Sequence, residues 1–427
     1  MSAVAHSNRL IRDSIRIEIL GGITTFVSMA YIIIVNPAIL AAAGLPIGPS
    51  TVATIVVAVV GTLLMGLYAN RPIAVAPYMG ENAFIAFGLA ALGITWQQRL
   101  GAVFVAGVIF LIITLAGVRT WLADAISPSM KHSFAVGIGL FLAFIGLNEI
   151  GVVASSTVPG VPVKIGDLRS AQVLLGIAGF IVIMVLLQRK VRGGIIIGIA
   201  LTAVAGILLG YGHAPRAVVA MPPSLAPIAL KLDILGVLRL SFLPILLTLV
   251  VMSFLDTLGT LVGVGAAAGI DDLKKPMMVD AVACVVAGLV GTSTSGAYIE
   301  SATGIREGAR TGLAAVTTAA LFAASLFFIP LVEPLQQLRF AYAPALIAVG
   351  VLMLGSIRNI DFDDLTELVP AFATIVVMVF TYNIGNGLTA GLVLYPVTKA
   401  LAGRRPNAGS IVLALVCLSY YLFGLPH

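Results

Sequence analysis

Apolar runs separated by short polar loops recur along the whole chain, and most approach the roughly 20 residues a helix needs to cross a bilayer. In order they cover 18–40, 49–69, 73–93, 100–118, 132–149, 171–188 and 193–211. A linker rich in Pro and Ala, 213–235, precedes a second series at 237–270, 276–290, 291–305, 311–332, 341–357, 365–382 and 386–401. A last apolar stretch, 410–423, suits either a short span or an interfacial helix. The pattern therefore predicts an all-α polytopic membrane protein with 14 segments in two sets of seven. An odd number per set inverts the second set relative to the first.

Two segments break the pattern, and they are the third of each set. The first reads "RPIAVAPYMGENAFIAFG" and the second "GTSTSGAYIESATG". Pro72 and Pro77 donate no backbone hydrogen bond and discourage helix before them, so 71–79 should be extended, with a half-helix from near Gly80. The Gly-, Ser- and Thr-rich lead-in 292–298 should likewise be extended, with a half-helix from about Ile299. Irregular backbone at membrane depth is tolerated where it is buried in protein or lines a polar cavity. Paired interruptions at matching positions of inverted halves point to a transporter binding site. "GENA" (80–83) also echoes "IESA" (299–302), placing Glu81, Asn82, Glu300 and Ser301 in the first turns. The N–H groups and positive dipole ends there suit a planar polar solute.

Composition and charge narrow the class. Of 427 residues, 60% are hydrophobic and 10% charged, where soluble chains carry about 25% charged. The net charge of +6 raises the question of a nucleic-acid partner. With the N-terminus in the cytoplasm, however, 17 Lys and Arg fall in cytoplasmic loops and 7 outside, which accounts for all 24. That bias is the signature of membrane orientation, so the basic residues imply a lipid bilayer and no nucleic acid. The polar, basic start leads straight into a full span, without the short apolar core of a signal peptide. Cys284 and Cys417 lie far apart in apolar segments, and the four His residues are scattered, so no metal site is expected. No phosphate-binding loop and no Ser/His/Asp set appears, and "GVGAAAG" (263–269) continues an apolar helix as small-residue packing. The chain is not expected to be an enzyme.

Candidate chemistry then gathers at membrane depth, where an ionisable group is a functional hypothesis by default. Glu300 can accept N–H donors of a substrate or carry a proton. Asp256 lies mid-span in "LVVMSFLDTLGTLVGV" beside Thr257 and Thr260. Asn82 offers a donor and an acceptor, which matches a nucleobase edge. Glu81 points either to the cavity or to a neighbouring segment, and the sequence leaves both open. Ser301 and Gly80 complete the half-helix starts, and Tyr298 is placed to stack on a planar ring, whereas Phe84 and Phe87 read as core. Glu18, Glu149, Asp271, Asp272 and Asp280 lie near span ends and read as interfacial.

Four stretches carry a family resemblance: "GGITTFVSMAYIIIVNPAIL", "APYMGENAFIAFG", "SFLDTLGTLVGVGAAAGI" and "GTSTSGAYIESATGIREGARTGLAAV". Through them the chain resembles the AzgA-like purine permeases of nucleobase–cation symporter family two, the xanthine/uracil permease superfamily, over nearly its whole length. The resemblance implies a core domain (18–130 and 237–333) and a gate domain (131–212 and 334–427), with a cytoplasmic tail 1–17 and a linker 213–236. It implies short antiparallel strands in segments three and ten, and proton-coupled import of hypoxanthine, guanine or adenine across the plasma membrane (a bacterial inner membrane). Its binding acids fall on Asp256 and Glu300, either of which would couple the proton, and its asparagine falls on Asn82. No cofactor is implied beyond the coupling proton, and a homodimer through the gate is suggested. Where the family reads "PGMGLNA", this chain has "PYMGENA", so Tyr78 replaces a glycine and Glu81 an apolar residue beside the site. The alternatives are the same scaffold carrying xanthine, uracil or another small solute, or a channel or sensor; three acids near the site would repel an anion.

Overall fold

The computed structural model describes residues 2–89, 92–118, 121, 124–270 and 272–423, with side chains described from Ser14 to Leu418. Arg119, Asp271 and His427 lie outside the described residues, as do the side chains of His6, Arg9 and Arg12. In chain order the elements begin with α1 (Ser2–Met29), α2 (Ile32–Ala42) and α3 (Ile47–Leu67). Strand β1 (Val75–Pro77), helix α4 (Met79–Ala83) and a π-helical turn (Phe84–Gly88) follow. Next come α5 (Trp96–Leu115), α6 (Pro128–Ile150), a hairpin of β2 (Val153–Ser155) and β3 (Val163–Ile165), α7 (Ala171–Gln188) and α8 (Gly194–Leu208). The second half holds α9 (Leu243–Ala268), α10 (Lys274–Val290), β4 (Ser295–Ala297), α11 (Ser301–Arg306), α12 (Gly312–Ser325) and α13 (Ile329–Gln337). It ends with α14 (Arg339–Leu354), α15 (Leu365–Phe380), α16 (Ile384–Leu401) and α17 (Ala408–Phe423). Among the described residues, eight helical stretches are long and apolar enough to cross a membrane, and α8, α15 and part of α17 are shorter apolar helices.

Two local features add to the sequence reading. The stretch expected as a tail is helical from Ser2 and runs into the first span. The polar loop after the fifth segment folds into the β2–β3 hairpin, in register Val153↔Ile165.

Small residues set the helix contacts. A Cβ on Gly350 of α14 would sit 2.3 Å from the Gly139 carbonyl oxygen of α6, so the two backbones touch. Close approach of this kind is how helices associate where lipid removes the hydrophobic drive. Proline creates a second kind of join. Pro37, inside α2, has no N–H to bond the Ile33 carbonyl one turn earlier. That carbonyl accepts instead from Gln336 Nε2 of α13 at 2.8 Å.

The interrupted segments meet each other. Strands β1 and β4 pair antiparallel in register Val75↔Ala297, Ala76↔Gly296 and Pro77↔Ser295. The ladder continues past both ends, with Tyr78 N–H donating to Thr294 O and Tyr298 N–H to Ala74 O, each at 2.9 Å. Thr62 of α3 serves the outer edge, its Oγ1 accepting from Val75 N at 2.9 Å. Each broken segment thus satisfies the other's backbone, which is what permits extended chain at this depth.

Candidate functional site

The paired strands define which residues of the two segments correspond. Tyr78 directly follows Pro77 and Tyr298 directly follows Ala297, and both extend the ladder in the same way. Counting on from each tyrosine, Gly80 matches Glu300 and Glu81 matches Ser301. The side-chain contacts follow this count. Ser301 Oγ accepts from Ala74 N at 3.0 Å, and Glu81 Oε2 accepts from the Thr294 hydroxyl, so each fastens its segment to the residue just before the partner strand. The "GENA"/"IESA" echo instead sets Glu81 against Glu300. It is one residue out of step with the strand register, and one residue turns a helical side chain by about 100°.

That offset separates the two carboxylates. Glu81 is fully buried, with Ser253 Oγ of α9 donating to Oε1 at 2.9 Å in addition to the Thr294 contact. Glu300 is only half-buried, and Tyr31, at the break between α1 and α2, donates to its Oε1 at 2.7 Å. Its neighbour Ile299 is 64% exposed. Asp256 is also half-buried, next to Thr257, whose Oγ1 lies 3.1 Å from the Tyr78 hydroxyl. Further along α9, a Cβ added at Gly259 or Gly263 would meet nothing within 4 Å. Asp256 and Glu300 are thus the partly exposed acids of these segments, and Glu81 is the enclosed one.

Asn82 is fully buried in an amide chain. Its Nδ2 donates to Asn36 Oδ1 at 2.7 Å, and Asn36 Nδ2 donates to Thr54 and Thr292 hydroxyls at 2.7 and 3.0 Å. Asn82 Oδ1 is left without a partner among the described residues. Tyr298 donates to the Pro77 carbonyl, an anchoring bond inside the strand pair. Gly80 is buried where a Cβ would come 2.9 Å from Ile138 Cγ2, so the missing side chain lets α6 approach. The half-helices α4 and α11 are five and six residues long, little more than one turn each.

Several partners were not singled out in the sequence. Tyr31 and Asn36 are polar positions inside the apolar run "AYIIIVNPAIL", and that was the available signal. Ser253 and Thr294 carried none beyond their residue type. Arg99, counted as a loop charge, is buried and holds the Ile85 and Ala86 carbonyls of the π-helical turn at 3.3 and 3.4 Å. Asp280 and Glu18, read as interfacial, are buried; Asp280 accepts from the Tyr78 hydroxyl at 3.3 Å, and Glu18 caps the Arg310 and Thr311 N–H groups. Among the described residues no group of three or more His, Cys, Asp or Glu is placed to hold a metal ion.

A family model described as a permease family, the xanthine/uracil permeases, matches residues 16–388, a span that includes both crossed segments. The chain belongs to this permease family. It is a membrane transporter, not an enzyme. The permease is 38% identical over 421 residues to the guanine/hypoxanthine permease PbuO of Bacillus subtilis, covering 96% of this chain and 97% of that one. It is 38% identical over 413 residues to the adenine permease AdeQ of Escherichia coli, covering 95% and 92%. Its fold is that of the transmembrane domain of a cyanobacterium bicarbonate transporter, BicA, with a TM-score of 0.66 at 16% identity over 89% of this chain and 97% of the other.

Proposed function

We propose that this permease is a secondary transporter that imports a purine nucleobase (hypoxanthine, guanine or adenine) together with a proton across the plasma membrane, with its N-terminus in the cytoplasm. The single observation that carries the reading is that Asp256 and Glu300, acids of α9 and of the β4–α11 segment, stay partly exposed while Glu81 is enclosed. Relatives alike over almost the full length are named for guanine, hypoxanthine and adenine, which supports a purine. A purine offers ring N–H and exocyclic donors, and two carboxylates supply matching acceptors. One of the two takes up the coupling proton, and Asn82, buried in its amide chain, ties the half-helix to α2.

In this reading the 14 segments form two inverted repeats, a core (18–130 and 237–333) and a gate (131–212 and 334–427). The site rides on the core, and alternating access comes from movement of core against gate. The β1–β4 pair joins the third and tenth segments into one rigid unit, so the site moves without being pulled apart.

The test is uptake of radiolabelled hypoxanthine into proteoliposomes under an imposed proton gradient, with adenine, guanine, xanthine and uracil as competitors. Accumulation against the substrate gradient, abolished by a protonophore and by Glu300→Gln, is the expected result. Uptake that only equilibrates would indicate a channel. Competition by xanthine or uracil alone would move the substrate away from the purines named here.

A further inference from the structure

A cavity of about 320 Å³ lies at the end of the bundle where α2 and α6 finish and α14 begins, which the proposed orientation places outside. It is held between α2 and α13 on one side and α6 and α14 on the other. Neither Asp256 nor Glu300 lines it, so it is separate from the site described above. Its walls are mostly apolar, with Phe87 among them, and its polar residues are Glu149, Gln336, Gln337, Arg339 and Tyr342.

Gln336 is 3% exposed, and its amide orientation is fixed by two acceptors. Nε2 donates to the Ile33 carbonyl that Pro37 leaves free and to Thr51 Oγ1, both at 2.8 Å. Thr51 spends its own hydroxyl hydrogen on Ile47 O at 2.9 Å, so its oxygen can only accept from the amide. Gln336 Oε1 is consequently a buried acceptor with no partner among the described residues. Such groups are rare in native proteins and call for an explanation. At Glu149, the Tyr342 hydroxyl (3.1 Å) and Arg339 Nε (3.4 Å) both engage Oε2. Glu149 therefore offers the cavity a charged acceptor beside an aromatic ring, while Gln336 Oε1 is sealed behind the wall. The volume lies at the low end of the roughly 300–1,000 Å³ of small-molecule sites, room for one ring system.

We infer that this cavity is an outer docking subsite for a small, flat heteroaromatic molecule presenting an N–H donor to Glu149. On the proposed function, this is the purine base before it reaches Asp256 and Glu300. The subsite rests on that reading for the identity of its ligand.

The test uses the full chain in oriented proteoliposomes with radiolabelled hypoxanthine. Glu149→Gln should raise the KM for uptake from the outer face by about tenfold, the loss of one charge-assisted hydrogen bond. Vmax for uptake should stay within about twofold, since a central-site effect would lower the rate of carriage as well. Arg339→Gln breaks the same ion pair but keeps the carboxylate. An equal KM rise in both variants would assign the effect to the ion pair and overturn the subsite. Equilibrium binding of hypoxanthine to the purified protein tests the cavity without transport. Glu300→Gln should retain binding that adding Glu149→Gln removes, and absence of that residual binding overturns the subsite whatever the carrier does. Failure of the wild type to take up any base would overturn the proposed function alone.

Discussion

Tyr31 donates its hydroxyl hydrogen to Glu300 Oε1 at 2.7 Å, joining the break in the first span to the tenth segment across 269 positions of chain. The tyrosine is 2% exposed and the carboxylate half-buried, so a buried donor orients a partly exposed acid. Tyr31→Phe keeps the ring and removes only the donor. A hydrogen bond to a charged group contributes about 1.5–3 kcal/mol, so initial uptake of hypoxanthine should fall about tenfold to a hundredfold. In a Glu300→Gln background the same change should add little, because the two residues act as one unit. Independent, additive losses in the double variant would show that Tyr31 works through something else.

Glu81 makes the opposite claim on its surroundings. Enclosed by Ser253 and Thr294, it is predicted to fasten the third segment and not to touch substrate. Thr294→Val leaves the shape and withdraws one donor from a buried carboxylate, at a cost of about 1–3 kcal/mol. The expected readout is a lower Tm for the detergent-purified protein, with the KM of the surviving fraction unchanged. A raised KM at an unchanged Tm would put Glu81 in the binding cavity instead.

The spans and their interruptions were legible because apolar length and Pro/Gly placement are local properties, and the extended lead-ins at Val75 and Ser295 followed from them. The relation between the two carboxylates was not legible. Sequence offers a four-residue echo, but correspondence is set by the strand register, and that depends on Tyr78 and Tyr298 donating to carbonyls in the other half of the chain. The partners of Glu300 and Asn82 were hidden for a related reason. Tyr31 and Asn36 announce themselves only as polar residues in an apolar run, and their targets lie 269 and 46 positions away. Asp280 and Arg99 were misplaced because nearness to a span end was read as exposure, whereas in a multi-layer bundle the ends of inner segments are covered.

Asp364, at the start of α15, offers a pH-dependent check outside the spans. The Thr366 hydroxyl and N–H donate to it at 2.7 and 2.9 Å, with Arg404 and Lys399 beside it, and these hold its carboxyl well below the usual carboxylate range. A group depressed in the folded state stabilises above its unfolded value, about 3.9, and loses that contribution as pH falls through the lower folded one. Asp364→Asn retains a capping oxygen but not the charge. The wild type should therefore melt above the variant at pH 7, with the gap narrowing as the pH is taken below about 4. A gap that does not change with pH would mean that the charge contributes nothing here.

The Tyr78 ring lies over Gly296, two residues along the ladder from that glycine's own partner, Ala76. A Cβ at Gly296 would fall 2.0 Å from the Tyr78 hydroxyl oxygen and 2.5 Å from Cζ, so the ring fits only because β4 has no side chain there. The hydroxyl it delivers lies 3.1 Å from Thr257 Oγ1, next to Asp256, and donates to Asp280. Gly296→Ala should destabilise by the about 1–3 kcal/mol typical of overpacking and reduce uptake, because the ring must leave this position. In a Tyr78→Ala background the same substitution meets no ring and should cost little beyond the loss already caused by removing the tyrosine. The four proteins compared by thermal unfolding give the coupling directly. Equal costs in both backgrounds would mean that Tyr78 does not occupy the space above Gly296, and its hydroxyl would then have no route to Thr257.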